Sequence, residues 1–191
     1  MKIECYLDDL NKSLKTVKVT TPESQSSLSD GFDAAVKMIL AVKEKSKKII
    51  LIGNGGSAAI ASHQAMDLWR SCGVKAIVFN DAVQLTCLGN DFGYENIFSK
   101  PVMMFAEEGD MLIAVSSSGR SPNILRAVKA AHKKKCRVIT FSGFQSDNPL
   151  RTAGDLNFYI DSNAYGFVEV SHLALIHALS DFIASKAQNK I

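Results

Sequence analysis

Paired cysteines, long apolar runs and a strong charge bias are all missing from this chain. The four cysteines, Cys5, Cys72, Cys87 and Cys136, form no CxxC pair. That argues against a structural zinc finger and for reduced, mostly buried thiols in an unsecreted chain. No apolar run approaches the roughly 18 residues of a bilayer-spanning helix, so no membrane partner is expected. The opening MKIECYLDDLNKS lacks the apolar core of a signal peptide, which points to a cytoplasmic protein. A net charge of +3 is too mild to imply nucleic acid. There is no Gly-Lys-Ser/Thr phosphate loop, so no nucleoside triphosphate cofactor is expected. No internal repeat or low-complexity tract appears. What remains is 191 residues, 47% hydrophobic and 21% charged, enough to bury a core without covalent staples.

Five β-branched runs stand out: KKIILIG (47–53), KAIVFN (75–80), DMLIAVS (110–116), RVITFS (137–142) and LNFYI (156–160). Most are apolar without alternation, as in strands covered on both faces. Helical spacing fills 57–72, 94–107 and 121–135. Alternating strands and helices predict a three-layer αβα sandwich around a five-stranded parallel sheet. Ahead of it, residues 1–46 read as a helical extension, with helices near 1–17 and after Ser29 or Asp30. Residues 20–29 between them read as a loop. Residues 47–191 form the expected main domain, closed by a helix over about 165–187 that is apolar on more than one face. The basic run HKKKCR (132–137) ends a helix, where cations suit the dipole.

Two loops carry the polar chemistry. The first strand runs into Gly53-Asn54-Gly55-Gly56-Ser57 and then a helix. The glycines admit a ligand close to the backbone, the helix start offers free N–H groups, and Ser57 supplies an N-cap hydroxyl. The third strand ends in Ser116-Ser117-Ser118-Gly119-Arg120-Ser121, and Pro122 opens another helix. Four serines exceed what one helix cap needs. Both loops lie at strand carboxyl ends, where parallel sheets bind ligands, so a phosphorylated metabolite is expected. Gly53-x-Gly55-x-x-Ala58 with Asp81 also fits a loose dinucleotide fingerprint, but that reading leaves the serine cluster unexplained.

With both loops in view, the chain resembles the sugar isomerase (SIS) family and, within it, the phosphoheptose isomerases. The specific stretches are GNGGSAA (53–59), His63 with an acid at 67, CLGNDFGYENIFSK (87–100), VSSSGRSPNILRAVKAA (115–131), and the last helix with Glu169 and His177. The resemblance implies a flavodoxin-like SIS domain in a homotetramer with sites at subunit interfaces. It implies conversion of sedoheptulose 7-phosphate to D-glycero-D-manno-heptose 7-phosphate through an enediol, for surface-polysaccharide synthesis. By resemblance, Ser57, Ser116, Ser117, Ser118 and Ser121 hold the phosphate, Asn54 and Asp91 contact the sugar hydroxyls, and Gly55 counts among the substrate-binding residues. The family's base is a Glu one turn after His63, where this chain has Asp67. Its acid falls on His177, and a family Gln eight residues earlier is Glu169 here. Some members bind zinc at the positions of His63, Asp67, Glu169 and His177. The alternative is a non-catalytic SIS module that binds phosphosugars or a protein.

The spacing bears on these roles. His63 and Asp67, four residues apart, share one helix face. Asp67 reaches one methylene less than Glu, and Glu169 is a second candidate for the base. Glu169 and His177 lie about 12 Å apart along a helix, whereas Glu169-x-x-His172 is a closer pair. Asp67 could also pair with Arg70, Asp91 could shape a turn, His172 reads as a core residue, and Trp69 and Phe98 read as packing.

Overall fold

The computed structural model describes residues 2–188; Met1 and residues 189–191, the outer ends of the two expected segments, lie outside it. Three layers form around a seven-stranded sheet of order β2-β1-β7-β6-β5-β3-β4. The strands are β1 (Lys18–Thr20), β2 (Gln25–Ser26), β3 (Lys48–Ile52), β4 (Lys75–Val78), β5 (Met111–Ser116), β6 (Arg137–Ser142) and β7 (Leu156–Tyr159). The five strands expected from the sequence are mutually parallel. The short β1 and β2 add an antiparallel edge, with Val19 opposite Phe158 and Ser26. The segment read as a polar loop therefore supplies an edge strand. Its backbone pairs with a neighbour while its side chains stay wet, so it needs no apolar run.

Both faces of the sheet are covered, which is why the strands do not alternate. Ile49, Leu51, Met111, Ile113 and Val115 face one buried cluster, and Ile50, Ile52, Leu112 and Ala114 face the other. The helices are α1 (Ile3–Lys15), α2 (Leu28–Glu44), α3 (Gly56–Cys72), α4 (Ala82–Phe92), α5 (Ser99–Phe105), α6 (Pro122–Lys133) and α7 (Tyr165–Gln188). The first cluster takes Val36 and Ile39 of α2, Ile60 and Leu68 of α3, and Ile176 and Leu179 of α7. The second takes Val102 of α5 and Ile124 and Val128 of α6. Residues 1–46 thus put β1, β2 and α2 into the same sheet and core as the rest. Ser27 caps α2 by accepting from the Asp30 N–H at 3.1 Å.

Several boundaries differ from expectation. The 94–107 segment is a 3-10 turn, Tyr94–Asn96, followed by the short α5. The helix α4 had no sequence signal beyond Asp81, whose carboxylate accepts from the N–H groups of Val83 and Gln84. Asp81 is a helix cap here. Cys72 and Cys136 are buried, but Cys5 and Cys87 are exposed. Burial pushes the Cys136 thiol up to about 11, which makes it a poor nucleophile at neutral pH. Over Tyr165–Lys186, α7 has the length and apolarity to cross a bilayer, which the search for an unbroken apolar run missed. In the fold it is a core helix, with Val168, Ile176, Leu179 and Ile183 each at most 1% exposed.

The sheet order creates the site. From β3 the chain turns to β4 on one side, and then crosses to β5 on the other. Loops leaving the carboxyl ends of β3 and β5 therefore diverge and leave a crevice between them, the ligand position of open α/β sheets.

Candidate functional site

The two predicted loops flank that crevice. Asn54, Ser57, Ser116, Ser117, Ser118 and Ser121 line a cavity of about 120 Å³, with Tyr165 and Glu169 of α7 on its far wall. Ser57, Ser116 and Ser117 are buried, at 4–6% exposure. The Ser117 hydroxyl is buried without a hydrogen-bond partner, as a ligand contact would be in the free protein.

Backbone geometry shapes the first wall. Gly55, not Ser57, is the N-cap of α3, and its φ of +52° and ψ of −123° suit only glycine. Ser57 therefore lies inside the first turn, where the helix N–H groups have no intrahelical partner. At Gly53 an added Cβ would sit 2.4 Å from the Ser57 carbonyl oxygen. Gly53→Ala is thus expected to displace this turn, costing about 2 kcal/mol and abolishing phosphate binding. Urea unfolding and calorimetry with inorganic phosphate check both effects.

The second wall is the start of α6. Ser121 is its N-cap but makes no capping bond with its side chain, which leaves that hydroxyl free for a ligand. An amide pair locks the two walls together. Asn54 Nδ2 donates to Asn123 Oδ1 at 3.0 Å, and Asn123 Nδ2 donates back to Asn54 Oδ1 at 2.8 Å. Sequence reasoning missed Asn123, Tyr165 and Tyr94, whose hydroxyl reaches Asn54 Oδ1 at 3.4 Å. The Pro-Asn start of α6, directly after the serines, was the available signal for Asn123. Tyr165 comes from distant chain, and no local pattern marks it.

A second cluster lies farther along α3 and α7. Asp67 Oδ2 is 3.3 Å from His63 Nε2 and 3.5 Å from His177 Nδ1. The His63 and His177 rings meet edge to face, 5.0 Å between centroids. Arg70 donates to the other Asp67 oxygen at 3.2 Å, so the helix-face pair and the site coexist. The ligand atoms of His63, Asp67 and His177 all lie within 4.8 Å of one another. Zinc with ligands near 2.0–2.2 Å in tetrahedral array separates them by about 3.4 Å. Two imidazoles and one carboxylate with an open position match such a donor set.

Glu169 stands outside this cluster, and Asp91, expected at the sugar hydroxyls, stands outside the serine cavity. Glu169 belongs to the serine cavity: its Oε2 is 2.4 Å from where a Cβ on Gly56 would be. Eight residues of straight helix hold it away from the His177 cluster. Asp91 sits in the last turn of α4, exposed, near Cys87 Sγ at 3.5 Å and Asn90 Nδ2 at 2.9 Å, and is not among the cavity's lining residues. His172 is fully buried, and its Nε2 donates to the Ser142 carbonyl at 3.1 Å. It pairs with the core, not with Glu169. Phe98 is buried packing, whereas Trp69 is 52% exposed.

Fold and site together define a class: an α/β protein with a serine-lined cavity at a sheet switch point and a separate carboxylate–imidazole cluster farther along the same helices. The SIS domain model matches residues 6–143, and the chain belongs to that family. It is 31% identical over 189 residues to a phosphoheptose isomerase of Shewanella denitrificans, covering 95% of this chain and 94% of that one. A phosphoheptose isomerase of Citrifermentans bemidjiense is 31% identical over 83% of this chain and 85% of its own. Among solved structures, phosphoheptose isomerase from Neisseria gonorrhoeae superposes with a TM-score of 0.82 at 29% identity, covering 95% of this chain and 97% of its own.

Proposed function

We infer that this protein is a phosphoheptose isomerase, interconverting sedoheptulose 7-phosphate and D-glycero-D-manno-heptose 7-phosphate. The observation that carries this is the separation of the two clusters. From Ser57 to Asp67, α3 rises about 15 Å, and from Glu169 to His177, α7 rises about 12 Å. An extended chain advances about 1.2 Å per bond, so carbon one of an open seven-carbon sugar lies about 10 Å from its terminal phosphorus. Side chains leaning inward close the remainder. A phosphate among the serines then brings carbons one and two to Asp67 and His177.

The reaction moves one proton between carbons and another between oxygens. A base removes the proton from carbon one of the ketose, the C–H electrons form the carbon–carbon double bond of the enediol, and the carbonyl pair takes a proton onto oxygen two from a partner acid. The acid then recovers a proton from oxygen one as the carbonyl reforms at carbon one, and the base returns its proton to carbon two. Asp67 suits the base and His177 the acid, because they adjoin each other about three helical turns along α3 from the serine cavity. Glu169, beside the serines, suits hydroxyls on the middle carbons, with Asn54 on the opposite wall. His63, Asp67 and His177 are the residues that would hold zinc, with Glu169 outside that set. Bound zinc would supply a Lewis acid that polarises the substrate carbonyl.

Exposed apolar side chains on α1, α3 and α7, among them Ile3, Leu7, Trp69 and Phe182, support assembly with further copies into a homotetramer. Light scattering after gel filtration tests this. The serine-lined crevice supports a sugar phosphate as the ligand. The non-catalytic alternative is not favoured, because ionisable groups still converge at the cluster and the relatives are isomerases.

The functional test is incubation with sedoheptulose 7-phosphate and detection of the aldose. A five-carbon ketose phosphate should turn over at least about a hundredfold more slowly, because its reacting carbons stop short of Asp67. Equal turnover of the two sugars would remove the length argument.

A further inference from the structure

Asn148 lies outside the cavity, but the serine loop rests on it. It is 2% exposed and sits directly under Gly119, where an added Cβ would lie 2.0 Å from Asn148 Oδ1. Gly119 adopts a φ of +60°, so the loop turns tightly over the Asn148 amide. The Asn148 amide nitrogen donates to the carbonyls of Gly143 and Gln145 at 3.1 and 2.9 Å, with Ser142 Oγ at 3.5 Å. Its oxygen accepts from the Arg151 N–H at 3.1 Å. Every polar atom of the side chain is therefore spent on protein, and none faces the ligand.

The segments it ties down hold the loop from below. The Gly143 N–H donates to the Ser117 carbonyl at 2.9 Å, and the Leu150 N–H donates to the Gly119 carbonyl at 3.2 Å. The Gly119 N–H in turn donates to Ser116, to the carbonyl at 3.1 Å and to Oγ at 3.2 Å. Gly143 follows β6, and Leu150 lies in the 3-10 turn Pro149–Thr152 that Asn148 caps. One buried amide thus sets the height and tilt of the backbone carrying Ser116, Ser117 and Ser118.

We propose that Asn148 is a positioning residue for the anion site, fixing the Ser116–Gly119 turn through Gly143 and Leu150 so that its hydroxyls and N–H groups converge on one phosphate. This rests on the phosphosugar reading above. The phosphate is the remote handle of the substrate, so loosening its cradle removes binding common to ground and transition states and acts mainly on KM.

The test compares Asn148→Ala with Asn157→Ala. Asn157 belongs to the same buried network, donating to Thr140 and Ser142, but touches neither Gly119 nor Gly143. Both variants should unfold at lower urea. Only Asn148→Ala should raise KM for the phosphosugar and weaken inorganic phosphate binding, each about tenfold or more, with kcat within about threefold. Gly119→Ala supplies a second measurement. Alone it should weaken phosphate binding, and in the Asn148→Ala background its further effect should be smaller, because the amide its Cβ would strike is gone and only the cost of the positive φ remains. Should Asn148→Ala fail to fold, Asn148→Ser, which keeps an acceptor for Arg151, carries the same comparison. Unchanged phosphate affinity in the folded variant, equal weakening in Asn157→Ala, or simple additivity with Gly119→Ala overturns the positioning role alone. Wild-type protein that binds no phosphate overturns the phosphosugar reading and this role with it.

Discussion

Asp67→Asn is expected to lower kcat/KM for sedoheptulose 7-phosphate by about three orders of magnitude, with inorganic phosphate binding unchanged. Positioned acid–base groups contribute roughly 10²–10⁴ in rate, and three orders correspond to about 4 kcal/mol of transition-state stabilisation. Asparagine keeps the volume and one oxygen of Asp67 but cannot accept the carbon-bound proton. The phosphate cradle lies about ten residues up α3, so affinity for the phosphate end should persist. Glu169→Gln should cost only about tenfold, the worth of one hydrogen bond to a substrate hydroxyl. Steady-state assays on both variants, with melting temperature and bound metal measured alongside, separate loss of the base from loss of fold or ion. If Glu169→Gln proved the more damaging, the proton transfer would belong to Glu169 and Asp67 would become a ligand or positioning group.

Acid should destabilise the protein through His172, by about 3 kcal/mol between pH 6.5 and 4. The imidazole is fully buried, and desolvation lowers its pKa from 6.5 to about 4, only partly offset by the bond to the Ser142 carbonyl. Its Nδ1 is buried without a partner, so nothing compensates a charge there. The unfolded chain takes up a proton below pH 6.5, while the native state does not until about pH 4. The unfolded state thus binds more protons in this window, and stability rises with pH. The contribution is complete above pH 6.5 and is lost as pH falls towards 4. Urea unfolding at a series of pH values should show a component of about 1.4 kcal/mol per pH unit. His172→Met, which fills the volume without a proton site, should lose it. An unchanged slope in His172→Met would place the titrating group elsewhere.

These expectations rest unevenly on sequence and on tertiary structure. The parallel sheet could be read from the chain because strands covered on both faces must be apolar throughout, as 49–52 and 111–115 are. The two polar loops could be read because glycine at a strand end is a local requirement of backbone geometry, although the capping role expected of Ser57 falls to Gly55 and Ser121 makes no side-chain capping bond. The edge strands and α4 could not. A two- or three-residue strand is decided by its partner, and α4 shows no apolar periodicity distinct from its neighbours.

For the site, local spacing placed His63 and Asp67 on one face, because the helical repeat alone decides that. Only tertiary packing decided the rest. The crossing of α3 and α7 brought His177 to Asp67. The rigid length of α7 sent Glu169 to the serines instead, and the course of α4 kept Asp91 out of the cavity. Asn148 came under the serine loop through a contact spanning nearly thirty residues, which no local pattern encodes. Sequence determines what each short stretch can form on its own. Which of those stretches meet depends on how helices of fixed rise lie across a twisted sheet, and that is settled only when the whole core packs.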